Sequence, residues 1–178
     1  LCILAAAKAG ITSIEHCTMV DDECIDYMLK NNVAAVPTLI VLHVLADGLS
    51  KGVAKSAVDK AAFLLPKHSD NIGNAYRRGV RCVFGTDTGT PLGLHGYQHR
   101  EFLYMVEAGI TPEDTLLAAT RYAAELLKWE DKVGTIEVGK MADIVAVDGN
   151  PLANMSVMTR DNIKLVVKDG TVYKNELK

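Results

Sequence analysis

A helix that ends at a glycine or asparagine and is followed at once by a short apolar strand occurs three times in the first half of the chain. The junctions are Ala9-Gly10-Ile11, Asn31-Asn32-Val33 and Arg78-Gly79-Val80. Glycine and asparagine tolerate the left-handed backbone that ends a helix, and β-branched residues favour the strand that follows. The pattern therefore predicts an α/β fold in which helices alternate with parallel strands.

Three strands are predicted at Ile11–His16, Val33–Val41 and Arg81–Phe84, and all three are mostly apolar. Such runs are typical of parallel strands that helices cover on both faces. The uncharged stretch from Asn31 to Ala46 is shorter than the roughly 20 apolar residues that cross a bilayer. We therefore interpret this stretch as a buried strand and not as a membrane helix.

Two proline residues indicate where predicted helices begin or break. Thr111-Pro112 predicts a sharp helix start, with threonine as the cap and proline at the first helical position, and this helix is expected to reach about Lys128. Proline lacks the amide hydrogen that a helix interior needs. Pro66 therefore predicts that the region Ala54–Arg78 forms two helical pieces.

The pattern changes after residue 128, where short apolar segments alternate with Gly, Asp and Asn turns. The predicted strand segments are Gly134–Gly139, Ala142–Asp148 and Lys164–Tyr173. Asp169-Gly170 within the last segment predicts a hairpin turn. We therefore divide the chain into an α/β part at 1–128 and a small all-β part at 129–178.

Composition bounds the partners and the compartment. The 178 residues carry 22 Asp plus Glu against 19 Lys plus Arg, so the formal net charge of -3 lacks the basic excess of nucleic-acid-binding proteins. We expect no nucleic-acid or membrane partner. Cys2, Cys17, Cys24 and Cys82 contain no C-x-x-C, and we interpret them as free core thiols of a cytoplasmic protein.

Polar side chains at strand ends are the candidate functional groups, because functional sites of parallel α/β folds lie where the strands end. The first predicted strand ends in His16, and Asp87 follows the third. Zn²⁺ accepts imidazole nitrogen and carboxylate oxygen, so both residues are candidate metal ligands. The residues alone leave two other roles open: a hydrogen-bonded structural histidine for His16 and a turn residue for Asp87.

The remaining histidines differ in where they fall. His95 and His99 lie in the loop and helix start that follow Asp87, where they could reach a substrate or be ordinary surface residues. His43 and His68 have no arrangement of polar residues around them, and we assign both to structure.

Three segments, Ala9–His16, Gly85-Thr86-Asp87 and Gly134–Pro151, together resemble the metal-dependent amidohydrolase family. The most specific of the matching residues are Gly-Lys-x-Ala-Asp at Gly139–Asp143. Nearly the whole chain takes part in the resemblance. Among the branches of the family, the sequence is most similar to the imidazolonepropionase and Xaa-Pro dipeptidase (prolidase-like) group.

The resemblance implies a partial (β/α)8 TIM barrel, consisting of its last three strands and their helices at 1–128, followed by part of an accessory β-sandwich at 129–178. His16 matches the metal ligand on the sixth strand and Asp87 the aspartate on the eighth, whereas the His-x-His pair of the family has no match here. A closed barrel needs roughly 250 residues. We therefore expect a carboxyl-terminal fragment that is inactive as an isolated chain.

For the longer enzyme, the resemblance implies hydrolysis of an amide or peptide bond, in dipeptides or cyclic amides, by water activated by one or two divalent ions, zinc foremost. Asp87 is the implied catalytic base, and His95 or His99 is expected to contact the substrate. The expected partners are the small amide substrate, the missing amino-terminal part of the barrel and, through open strand edges, further copies of the chain. A self-contained α/β interaction or receiver-like module, in which Asp87 binds a partner or accepts a phosphoryl group, stays open as the alternative.

Overall fold

The computed structural model describes residues 2–90 and 92–177. Its helices are α1 (Cys2–Ala9), α2 (Asp22–Lys30), α3 (Leu39–Ala46), α4 (Lys55–Arg77), α5 (Arg100–Glu107), α6 (Pro112–Ala118) and α7 (Arg121–Leu126). Its strands are β1 (Ser13–Glu15), β2 (Ala34–Val36), β3 (Ile144–Val147), β4 (Ile163–Lys168) and β5 (Thr171–Asn175). Short 3-10 turns lie at Leu49–Lys51 and Met155–Val157. The predicted order, an α/β part followed by short antiparallel strands, is confirmed.

The three predicted helix ends have the expected backbone conformation. Gly10, Asn32 and Gly79 have φ angles of 69°, 52° and 101°, in the left-handed region that stops a helix. The chain reverses direction at each of them and enters an extended segment. Asp21 caps the start of α2 by accepting a hydrogen bond from the amide of Cys24 at 2.9 Å.

The extended segments of the α/β part lie side by side and run in parallel. β1 pairs with β2, with Ile14 opposite Ala35. On its other side, Ala35 donates to the carbonyl of Arg81 at 3.0 Å and accepts from the amide of Val83 at 2.8 Å. The segment 81–84 makes only an isolated parallel bridge here, so the third predicted strand is extended but shorter than expected.

The prediction of one strand over Val33–Val41 is wrong beyond Val36. The chain breaks at Pro37 and Thr38, and α3 begins at Leu39. An uncharged run contains no polar residues at helical spacing, so its hydrophobic pattern does not distinguish a buried strand from a buried helix. The predicted strand segment therefore contains both β2 and the first residues of α3.

Two helix predictions also need correction. α4 is a single helix with Pro66 inside it, not two pieces. The carbonyl of Ala62 that loses its helical partner lies on an exposed turn, where water can bind it. The helix that starts at Thr111, whose hydroxyl caps the amide of Asp114 as predicted, ends at Ala118, and α7 follows after a break at Thr120.

The part after residue 128 contains one antiparallel sheet with the order β3-β4-β5. Asp169 and Gly170, with φ angles of 48° and 74°, form the predicted hairpin turn between β4 and β5. The predicted strand at Gly134–Gly139 is absent from the described structure. Both of its end glycines have a φ angle of 94°, and no described strand pairs with this segment.

The buried core belongs to the α/β part. Its largest fully buried apolar side chains are Ile25, Met28, Leu39, Ile72, Met105, Ile110 and Val83. In the described part of the sheet region, only Met155 and Met158 are buried apolar residues. A cleft of about 1180 Å³ separates one side of this sheet from α6 and α7, so the sheet has an apolar face without a complete cover.

Two further expectations concern cysteines and membranes. Cys17, Cys24 and Cys82 are buried free thiols as expected, whereas Cys2 is exposed. Burial raises the pKa of Cys17 and of Cys82 to about 12, so both thiols stay protonated at neutral pH. Within the described ranges, no helix combines the length and the apolar character that a bilayer crossing requires.

Candidate active site

Three neighbouring extended segments end in residues with left-handed backbone conformations. His16 follows β1, Thr38 follows β2, and Asp87 follows the segment 81–84, with φ angles of 65°, 49° and 49°. This conformation costs a residue other than glycine about 1–3 kcal/mol, and such residues cluster at functional sites. Because the segments are parallel, their carboxyl ends lie at the same edge of the sheet.

His16 is held by two contacts on different parts of the residue. Its ring nitrogen Nδ1 lies 2.7 Å from Oγ1 of Thr38. Its backbone carbonyl accepts a hydrogen bond from Nε2 of His68, on α4, at 2.6 Å. The imidazole is exposed, and its second nitrogen, Nε2, has no hydrogen-bond partner among the described residues. The ring is therefore fixed in orientation with one nitrogen open.

His68 is buried within α4 and supports the backbone of the site. Because its Nε2–H donates to the carbonyl of His16, its Nδ1 is the unprotonated nitrogen, and this atom is buried without a partner in the described structure. Burial lowers the pKa of His68 and favours the neutral ring. The assignment of His68 to structure agrees with this position, although the sequence did not reveal its contact with His16.

Glu101 is the only acidic side chain among the buried residues of the described ranges. Its Oε1 accepts the amide hydrogen of Leu39 at 2.9 Å, and its Oε2 accepts that of Ile40 at 2.7 Å. Burial raises the pKa of Glu101 to about 8, against the lowering effect of these two amides. The carboxyl group thus covers the first turn of α3, directly after Thr38.

Asp87 lies in a tight loop with its side chain exposed. Oγ1 of Thr90 donates to the Asp87 carbonyl at 3.1 Å, and Thr86 and Thr88 are joined through their hydroxyls at 2.7 Å. No hydrogen bond within the described residues engages the Asp87 carboxylate. The loop is fixed through its backbone and hydroxyls, and the carboxylate is free to act.

Gly85 allows the segment before Asp87 to pass close to β2. A Cβ atom at this position would overlap with Cγ1 of Val36. Because glycine has no side chain, the segment that leads to Asp87 can pack directly against the end of β2.

The two loop histidines lie apart from the contacts of His16. His95 is exposed, with Nδ1 3.5 Å from Nε2 of Gln98. His99 is partly buried beside the cleft under β3–β5, and burial lowers its pKa. No described hydrogen bond joins either of them to His16 or Asp87. Their predicted contact with substrate stays a prediction.

His43 is a structural residue, as predicted. Its ring stacks on that of Tyr104 with a centroid distance of 3.6 Å and an interplanar angle of 8°. Burial lowers its pKa and favours the neutral ring that such stacking suits.

The donor atoms at this edge suit a divalent metal but do not complete a site. The free Nε2 of His16 and the carboxylate of Asp87 are of the types that zinc accepts. Across residues 2–90 and 92–177, no three His, Cys, Asp or Glu side chains come together as a metal-binding group. A catalytic zinc site usually has three protein ligands, so these two residues fit as part of a larger set.

His16 and Asp87 were candidates by their places at strand ends, whereas the contacts of Thr38 and Glu101 could not be predicted from the sequence. Thr38 fell inside the second predicted strand, Val33–Val41, and its hydroxyl gave no sign of its target. Glu101 is 62 residues from its partner Leu39, so no local pattern could connect them.

Comparison with known proteins gives matches that extend over nearly the whole chain. A model of the amidohydrolase family matches residues 2–173. Ochratoxinase from Aspergillus niger is 30% identical over 177 residues, which cover 97% of this chain and 36% of that protein. Imidazolonepropionase from Brevibacillus brevis is 28% identical over 176 residues, which cover 94% and 35%. The chain thus spans about a third of the length of the curated relatives that it matches.

Solved structures agree with these matches. A Xaa-Pro dipeptidase with bound methionine in its active site is 40% identical, with a TM-score of 0.85, over 97% of this chain and 42% of that one. A prolidase complexed with N-methylphosphonate-L-proline is 30% identical, with a TM-score of 0.86, over the same 97% and 42%. The coverage supports the prediction that the chain corresponds to part of a longer protein.

Proposed function

The chain belongs to the amidohydrolase family, and we propose from this premise that it forms part of the active site of a longer hydrolase that cleaves carbon–nitrogen bonds. The observation that carries the proposal is the state of His16. Its Nδ1 is engaged by Thr38 and its backbone by His68, while Nε2 is open at the edge where Asp87 also lies. The receiver-like alternative has no support among the matched proteins.

We propose that β1, β2 and the segment 81–84 are the last three strands of a (β/α)8 barrel in that longer protein. In this arrangement residues 1–128 belong to the barrel, and residues 129–178 belong to an accessory β-sandwich. The other part of the longer protein would pair with the open strand edges and cover the cleft beneath the sheet. The side chains that line this cleft are mostly apolar. A contiguous exposed apolar surface is typical of a site that another segment or protein covers, which supports this proposal.

In the proposed site, Nε2 of His16 and the carboxylate of Asp87 would hold a divalent metal, for which zinc is the first candidate, together with ligands from outside residues 1–178. A bound divalent ion lowers the pKa of water toward about 7 and polarises a carbonyl group. In this proposal Nδ1 of His16 carries the proton and donates to Oγ1 of Thr38, 2.7 Å away, which leaves Nε2 as the ligand atom.

Asp87 is the proposed general base and acid. Its carboxylate oxygen accepts a proton from the attacking water and then delivers that proton to the leaving nitrogen. The free, exposed carboxylate on a loop fixed by threonine hydroxyls supports this role. His95 and His99, on the same connection to α5, are proposed to contact the substrate.

The names of the relatives suggest the substrate class. The Xaa-Pro dipeptidase and the prolidase among the solved structures, and imidazolonepropionase among the curated proteins, point to dipeptides and cyclic amides. We propose a small amide of this kind for the longer protein.

The test uses the full-length protein that contains this chain, with metal content measured by elemental analysis and hydrolysis assayed on Xaa-Pro dipeptides and cyclic amides. Asp87→Asn should reduce turnover by roughly 10²–10⁴-fold, the usual contribution of a general acid–base group, with unchanged thermal unfolding. Asp59→Asn, an exposed aspartate on α4, is the matched control and should keep wild-type turnover. Wild-type turnover in Asp87→Asn would refute its catalytic role.

The isolated 178-residue chain provides a second test of the incomplete site. With two ligands, it should bind zinc weakly or not at all in a chelator competition, and it should not hydrolyse the substrates. Tight one-to-one zinc binding by the isolated chain would contradict the proposal that further ligands lie outside it.

A further inference from the structure

Thr38 stands at the position where a threonine hydroxyl ordinarily caps a helix. It is the residue before the first turn of α3, and threonine at this position commonly accepts an amide hydrogen from that turn. Here its side chain makes no such bond, and its Oγ1 lies 2.7 Å from Nδ1 of His16. The Thr38 hydroxyl therefore contacts the His16 imidazole and does not cap α3.

Glu101 satisfies the first two amides of α3, and the second of them, that of Ile40, is one that a threonine cap at position 38 would engage. Its two carboxyl oxygens accept from Leu39 and Ile40, and the side chain is fully buried. Amide hydrogens left without an acceptor in a buried place destabilise the folded chain. A side chain from the start of α5 therefore takes over the capping of α3.

We propose that Glu101 is a positioning residue for His16, because its capping of α3 frees the Thr38 hydroxyl to orient the imidazole. The inference rests on the proposed role of His16 as a metal ligand. Glu101 touches neither His16 nor a reacting atom in the proposed site. Its effect passes through the amides of Leu39 and Ile40 to the rotamer of Thr38.

The backbone of Thr38 supports this coupling. A β-branched residue at a φ angle of 49° is strained, and such a conformation persists only where the surroundings fix it. The two bonds from Glu101 fix the residues directly after Thr38. Without Glu101, the open amide of Ile40 would compete with His16 for the Thr38 hydroxyl, and each χ1 rotamer of Thr38 aims that hydroxyl in only one direction.

The experiment is a double-mutant cycle in the full-length protein that contains this chain. Glu101→Gln keeps the shape of the side chain but replaces one accepting oxygen with an NH₂ group, and Thr38→Val keeps the shape of threonine without its hydroxyl. Zn²⁺ affinity is measured by chelator competition at neutral pH, and stability by thermal unfolding of the metal-free protein. Glu107→Gln, an exposed glutamate on α5, is the matched control.

Each single variant should lower zinc affinity about 10–100-fold, the usual effect of losing a group that orients a metal-binding histidine. The double variant should bind zinc no more weakly than Thr38→Val alone, whereas the losses in thermal stability should add. Thr38→Ser should retain the affinity of the wild type. A merely structural role of Glu101 would instead lower affinity equally in the presence and absence of the Thr38 hydroxyl.

Two results separate the possible failures. If His16→Gln lowers zinc affinity and Glu101→Gln does not, the coupling is wrong and the proposed function stands. If His16→Gln leaves zinc affinity unchanged, the proposed function itself fails. Should Glu101→Gln not fold, Glu101→Asp, which is too short to reach both amides, replaces it in the cycle with the same expected and contradicting outcomes.

Discussion

The buried carboxyl group of Glu101 should make the stability of the chain depend on pH in an unusual direction. Its pKa is about 8 in the folded state, against an ordinary value of 4.5, because burial disfavours the charge. Between these two pH values, the folded chain holds a proton that the unfolded chain has released. Unfolding therefore releases a proton, and the free energy of unfolding falls as the pH rises from about 4.5 to about 8.

The size of this effect follows from the two pKa values. At about 1.4 kcal/mol for each pKa unit, the difference between 4.5 and about 8 gives an upper limit of about 5 kcal/mol. The loss begins above the pKa of the unfolded chain and is complete above that of the folded chain. Below about pH 4.5, both states are protonated and Glu101 adds no pH dependence.

Urea unfolding of the wild type and of Glu101→Gln at pH 5, 6, 7, 8 and 9 measures the effect. Glutamine does not titrate, so the wild-type free energy of unfolding should fall relative to that of the variant by several kcal/mol between pH 5 and 8. Loss of one acceptor adds a constant offset of about 1–3 kcal/mol. Burial also lowers the pKa values of His43, His68 and His99, but these residues are present in both proteins and cancel in the difference. Parallel curves for the two proteins would refute the reasoning.

Three further predictions concern packing and assembly. Gly85→Ala should destabilise the chain by about 1–3 kcal/mol in urea unfolding because its Cβ overlaps Val36, and Val36→Ala in the same chain should recover part of the loss; an additive loss would contradict this. Ile72→Ala, at a fully buried position of α4, should cost about 2–5 kcal/mol, whereas Phe63→Ala, 66% exposed on the same helix, should cost less than about 0.5 kcal/mol; equal losses would show that the packing of α4 is misassigned. The isolated 178-residue chain should self-associate in light scattering through its open strand edges, and a monomer at all concentrations would count against that expectation.

Local backbone chemistry made the helix ends and the hairpin predictable. Gly10, Asn32 and Asp169-Gly170 adopt left-handed conformations that few other residues adopt easily, so their identity is sufficient to place a turn. α3 was missed because an uncharged run has no polar face to indicate its period. The continuous α4 was missed because proline costs less where the freed carbonyl faces water.

For the candidate site, too, the sequence predicted positions along the chain but not contacts between distant segments. The ends of parallel strands are places where polar groups gather, and this rule located His16 and Asp87 from order in the sequence. The other contacts near this edge join distant segments, such as that of Glu101 with Leu39, 62 residues apart. Long-range pairs of this kind leave no periodic trace in the sequence, so only the folded chain reveals them.

The left-handed conformations at His16, Thr38 and Asp87 impose a conflict between stability and activity. Glycine adopts these φ angles without strain, so a search for thermostable variants would be drawn to all three positions. At each of them, the stabilising residue would remove a group that the proposed reaction requires: an imidazole, a hydroxyl or a carboxylate. Selection for heat resistance alone should therefore drive this edge of the sheet toward a more stable protein without function, and engineering of the family is safer when these three positions are held fixed.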